Sequence, residues 1–173
     1  ALGPAIAWVL GLALVVFIVA SLVSYSPADP PGHAVAPVND PASNWCGLAG
    51  AYVAHWTFYV IGSGAWVLVG AGALALGATA LRRPVDHPFV RACGALLLAL
   101  AVSGFHALLW PQASSAPEGG GGLIAIVGVD RLTSSFNTLG AGLWIGAAAA
   151  VGAVLAFDRL LITAPLGLWR RVA

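Results

Sequence analysis

The sequence holds 173 residues, 60% hydrophobic and 8% charged, with a formal net charge of +1. A water-soluble domain carries about 25% charged residues, so this composition excludes an ordinary aqueous surface and makes lipid the main solvent. With no Lys at all, the chain also cannot contain a phosphate-binding loop, whose Lys reaches the nucleotide phosphates.

Spanning the hydrocarbon core takes ~20 apolar residues in a helix. Four stretches meet that length, at about residues 6–24, 62–81, 90–109 and 139–157. Helices are the expected form, because backbone polar groups in lipid must find partners within their own segment. Alternating short runs of a membrane barrel are absent. The first run lacks a basic leader and a good small-residue cleavage site, so it reads as a retained helix rather than a signal peptide. There is no Met, and a chain opening at Ala1 reads as a piece of a longer product.

The connections are polar or rich in proline. Residues 26–44 hold Pro27, Pro30, Pro31, Pro37 and Pro41, which prevents a continuous helix there. A short turn, 82–88, follows the second span. Residues 111–122 precede the fourth and end in a glycine run at 119–122.

Arginine sets the orientation. Arg82, Arg83, Arg91, Arg159, Arg170 and Arg171 share one side of a four-span arrangement, and Arg131 falls on the other. Positive charge stays cytoplasmic, so both termini are expected inside, with Asp29, Asp40, Glu118 and Asp130 outside. Residues 160–171, with Trp169 and two arginines, read as a helix at the inner interface, attracted to anionic lipid.

Residues 44–81 and 123–157 exceed a simple span by roughly fifteen residues each. Each holds a glycine cluster, Gly62-Ser63-Gly64 and Gly140-Ala141-Gly142. The expectation is an outer, periplasmic helix first (about 45–61 and 123–138), then a bend at the glycines, then the span. The first outer helix carries Trp45, Tyr52, Trp56 and Tyr59, types favoured at membrane interfaces and a candidate partner surface. At an offset of 78, Gly50, Gly62, Gly64 and Trp66 meet Gly128, Gly140, Gly142 and Trp144. That pattern fits either an internal duplication of a two-helix unit or chance in a glycine-rich chain.

Candidate chemistry is sparse. Ser63 could act as a nucleophile only with a base in reach, and between two glycines it reads as a packing residue. His55 and His106 lie at similar expected depth and could form a haem or metal pair between helices, or could bond water and headgroups. Cys46 falls outside and Cys93 inside, too far apart across a ~30 Å core to pair. No ionisable residue sits at mid-depth, which argues against coupled transport. No catalytic, cofactor or metal site is expected in this chain. What remains is packing: Gly62, Gly64 and Gly70, and Gly142 and Gly146, form small-residue ridges that let helices approach closely.

The order of features resembles a known family. After the first span comes Ser24-Tyr25-Ser26-Pro27-Ala28-Asp29-Pro30, and before the second Asn44-Trp45-Cys46-Gly47-Leu48-Ala49-Gly50-Ala51. Ser26, Pro27, Asp29, Pro30, Asn44, Gly47 and Gly50 carry the resemblance to the four-helix N-terminal membrane domain of the FtsK/SpoIIIE family of bacterial DNA translocases. Pro31-Gly32 departs from it where the family often has an aromatic. The resemblance implies an inner-membrane anchor at the division septum. It would tether a cytoplasmic motor through a linker and contact the bilayer and other division proteins. It also implies a homo-oligomer, hexameric through the motor, with ATP, Mg and DNA handled only by that motor. A small redox membrane protein built on His55 and His106, or an uncoupled channel, are the competing readings.

Overall fold

The computed structural model describes residues 2–32, 35–81, 87–111 and 119–172, without the side chains of Leu2, Pro4 and residues 158–172. Arg82, Arg83, Pro84 and Glu118 lie outside the described residues. So do the side chains of Arg159, Trp169, Arg170 and Arg171 in the expected interfacial tail.

The chain forms helices α1 (Leu2–Val23), α2 (Gly47–Val60), α3 (Ala65–Ala80), α4 (Pro88–Leu109) and α5 (Gly122–Val172), with a short 3-10 turn at Gly62–Gly64. No strand occurs among the described residues. Among the described residues, four segments are long and apolar enough to cross a membrane: Ala5–Val23, Gly62–Ala80, Pro88–Leu109 and part of Gly122–Phe157. Their outward faces carry Leu10, Leu74, Leu96 and Leu143, the last 76% exposed. Large apolar groups presented all round a bundle have a natural solvent only in lipid.

The buried hydrophobic residues are alanines, apart from Leu22 and Ile145, among the described residues. Lipid tails are as apolar as leucine, so nothing drives large side chains inward. Close packing over small residues holds such helices together instead. The most extensive pair is α4 with α5. These helices run antiparallel: a Cβ placed on Gly152 would fall 2.6 Å from the Leu98 nitrogen, and one on Gly94 would fall 2.6 Å from the Leu155 Cβ. At the α4 start, the Arg91 guanidinium donates to the Ala156 carbonyl at 3.4 Å. It meets α5 just before Phe157, where the helix breaks (φ −127°, ψ 19°).

Helices α1 and α3 are also antiparallel. Leu22 packs with Ala65, and the Trp8 indole N–H donates to the Leu76 carbonyl at 3.3 Å. Thus α1 and α4 finish at one end of the bundle, and α3 and the α5 span start there.

The first bend lies at the expected glycines. Gly62 takes φ +71°, a conformation in which a side chain is strained, and the 3-10 turn follows at once. The second bend lies elsewhere. Gly140 and Gly142 are helical, and the break falls at Asn137 (φ 60°, ψ 174°). Among residues with a side chain, Asn is one of the few enriched at positive φ, and its Oδ1 accepts from the Thr138 N–H at 2.7 Å. Gly140 serves the bend at one remove: a Cβ there would fall 2.6 Å from the Cβ of Phe136.

Both bends lay a helix across the end of the bundle. Gly50 of α2 abuts Ser21, near the end of α1, while the Gly62–Gly64 turn abuts Ala99 and Ser103 in the second half of α4. At 1.5 Å per residue α2 is about 21 Å long, yet it starts and finishes at one level. The first part of α5 behaves alike. It leaves beside Ala107 at Gly121 and comes back beside Leu108 at Gly142. Each half of the chain therefore has the same element order: span, connection, crossing helix, span.

Candidate functional site

The connection between α1 and α2 is built around one carboxylate. Asp29 is 3% exposed. Its Oδ1 accepts from the Asn39 side-chain amide at 2.7 Å, the Ser43 N–H at 2.8 Å and the Ser43 hydroxyl at 3.0 Å. Burial pushes its pKa upward. The hydrogen bonds from Asn39, Ser43 and the Asn44 backbone outweigh that and hold the carboxyl below its ordinary range. Burial, and next the Asp29 charge, push the neighbouring Tyr25 phenol up.

The rest of the Ser-Pro-x-Asp-Pro block shapes the turn. The Ser26 hydroxyl accepts from the Ala28 N–H at 3.3 Å, and the Gly32 N–H donates to the Asp29 carbonyl at 2.9 Å. Pro30 is half-buried, and Gly32 is buried with the Pro27 carbonyl 2.6 Å from where its Cβ would stand. That close approach is the physical reason for a glycine at this position.

Asn44 joins the two helices. Its side-chain amide donates to the Ser21 carbonyl at 2.8 Å and the Ser24 carbonyl at 3.3 Å, and its Oδ1 accepts from the Cys46 N–H at 3.0 Å. It thereby satisfies carbonyls left over at the α1 C-terminus and an N–H at the α2 start. Gly47 opens α2 at φ +64°. Gly50 leaves room for Asn44, Cys46 and the Ser21 hydroxyl, all crowded where a Cβ would stand.

A second junction ties the two halves together. The Ser63 N–H donates to the Gly120 carbonyl at 2.7 Å. The Ser103 hydroxyl accepts from the Gly64 N–H at 2.8 Å and donates to the Ile61 carbonyl. Gly122 meets Ile61 and Gly62 backbone to backbone, and Gly64 sits against the Ala99 carbonyl. The Ser63 hydroxyl and His106 Nε2 are buried at this junction without a hydrogen-bond partner.

An outward row of aromatic residues runs from Trp45, just before α2, along the helix, while Phe58 packs inward on Leu22, Ala54 and Ala65. Trp45, Tyr52 and Trp56 are 75%, 44% and 52% exposed. Tyr59 is half-buried, stacked on the His55 ring with centroids 6.2 Å apart, and Trp56 meets Tyr59 edge-on. The two histidines have different surroundings: His55 lies in this row, and His106 packs on Gly120. Among the described residues no group of three or more His, Cys, Asp or Glu could hold a metal ion. Cys46 and Cys93 are free thiols.

Of the ridge glycines, Gly62 and Gly64 make close backbone contact. Gly142 and Gly146 reach Leu108 and Phe105 only at 3.8 Å, and a Cβ on Gly70 would meet nothing within 4 Å. The tighter contacts at Gly94 and Gly152 were not singled out from sequence, although Gly152 has Ala148 and Ala156 four residues to either side. Ser103, Asn39 and Ser43 were also missed. Ser103 carried a signal, as a hydroxyl deep in an apolar span.

Residues 2–164 match the family described as the 4TM region of DNA translocase FtsK/SpoIIIE. The chain belongs to this family. A DNA translocase FtsK 1 of Neisseria meningitidis serogroup A is 30% identical over 127 residues, covering 69% of this chain and 16% of the relative. A DNA translocase FtsK 1 of serogroup B is 29% identical over the same length and shares. The chain thus matches a small fraction of each relative's length. No solved structure matches it. Family membership gives the staple at Asp29 and Asn44 its context: in this FtsK/SpoIIIE 4TM region these motif residues hold helix ends and loop together.

Proposed function

We propose that this 4TM region anchors a DNA translocase in the bacterial inner membrane at the division septum, with both termini cytoplasmic. Crossing helix α2 and the first part of α5 then lie on the periplasmic face, and the chain after α5 leads toward a cytoplasmic motor. ATP, Mg and DNA belong to that motor. The arginine bias supports the orientation, and the relatives' names support the motor. The expected boundaries follow: spans at about 6–24, 62–81, 90–109 and 139–157, and an inner interfacial tail at 160–171. The open face of α3 at Gly70 is a surface for homo-oligomer contacts, up to a hexamer.

The observation that carries partner recognition is the exposed row of Trp45, just before α2, with Tyr52 and Trp56 on it. Aromatic anchors dominate protein interfaces, and this row projects from the end of the bundle, clear of the helix core. It is the docking surface for other division-site membrane proteins.

The test is septal recruitment of the full-length parent protein carrying a fluorescent tag. Tyr52→Glu and Trp56→Glu should abolish septal recruitment while membrane level and helical content stay unchanged. Normal septal localisation of both variants would place recognition elsewhere.

A further inference from the structure

The structure contains a groove that the anchor role does not use. Leu14 and Ile18 of α1 form one wall, Leu68 and Gly72 of α3 the other, and Val53 and Thr57 of α2 lie over one end. Its volume is about 400 Å³, within the ~300–1,000 Å³ of ligand sites. Thr57 supplies the one hydroxyl in an otherwise apolar lining.

Both ends are closed. Crossing helix α2 roofs the groove. At the other end α1 and α3 come together, where the Trp8 indole bonds the Leu76 carbonyl and a Cβ on Gly11 would sit 3.1 Å from the Leu76 side chain. From Ala65 to Gly72, its lining residues on α3, the slot is ~10 Å long at 1.5 Å per residue, short enough to lie within one leaflet. One leaflet of a ~30 Å hydrocarbon core is about 15 Å deep.

We infer that this groove binds one acyl chain of a membrane lipid from the leaflet on the α2 side. A transmembrane helix of a second copy needs the full thickness, ~20 residues, and would strike the α2 roof and the Trp8–Leu76 floor. An acyl chain is one leaflet long and enters from the side, leaving its headgroup beside α2. The inference rests on reading α1 and α3 as membrane spans, and it is independent of partner recognition. Were the spans misassigned, topology labelling would show it. Were the groove empty, lipid counts would show it with the topology intact.

The chain is reconstituted in phosphatidylethanolamine and phosphatidylglycerol vesicles, extracted in mild detergent and weighed by native mass spectrometry. A Cβ on Gly72 meets nothing within 4 Å, so Gly72→Phe fills the groove without displacing a helix. Gly77 is equally open and does not line the groove, so Gly77→Phe is the control. The parent and Gly77→Phe should each retain one lipid after activation that strips the rest, and Gly72→Phe should lose it with unchanged thermal unfolding. Gly72→Leu gives the same reading if the phenylalanine variant does not fold. The inference is overturned if the parent retains no lipid, or if the folded Gly72 variant retains as much as the parent. It is also overturned if the parent runs as paired chains that Gly72→Phe separates, since the occupant would then be a second copy.

Discussion

Single polar side chains decide the local structure at three points of this apolar chain. Asp29 gathers the first connection, Asn44 joins α1 to α2, and Ser103 clamps the turn between α2 and α3. Each hydrogen bond to a charged group is worth roughly 1.5–3 kcal/mol. Asp29→Ala, which removes three such bonds, should therefore destabilise the fold by at least that much near neutral pH, read as thermal unfolding in detergent. The Asp29 pKa is lower folded than unfolded. Its contribution is thus complete above the unfolded value of ~3.9 and fades as pH falls through the folded value. The gap between parent and Asp29→Ala should narrow below about pH 4. A gap constant down to acid pH would show that the carboxylate charge does not hold the loop.

At the scale of elements, hydropathy located four long apolar helices, and a glycine stands at the first bend. The second bend escaped, for a physical reason. Glycine tolerates positive φ, but so does asparagine, and a helical stretch needs only one such residue to turn. Gly140 and Gly142 stay helical while Asn137 turns the chain. Gly140 is small to make room for Phe136. The close α4–α5 contact was equally hidden, since Gly94 and Gly152 meet only once the pairing of helices is known. The bend gives a clear expectation. Asn137→Gly should be tolerated, and Asn137→Leu should destabilise by roughly 1–3 kcal/mol, the strain of a side chain in a sparsely populated region. Equal thermal stability of the two variants would remove Asn137 as the cause of the bend.

For the molecule as a whole, sequence carried the family and four helices long and apolar enough to cross a membrane. The motif that marks the family turned out to be a staple for helix ends and a loop. The central claim is an anchor whose crossing helices and termini face opposite sides of the membrane. The most direct measurement labels single cysteines with a membrane-impermeant maleimide on intact spheroplasts, in a chain where Cys46 and Cys93 are replaced by alanine. Val38 in the first connection and His87 at the α4 start are both exposed. Val38→Cys should label at once, and His87→Cys only after the membrane is permeabilised. Labelling of His87→Cys alone, or of both before permeabilisation, would contradict the account.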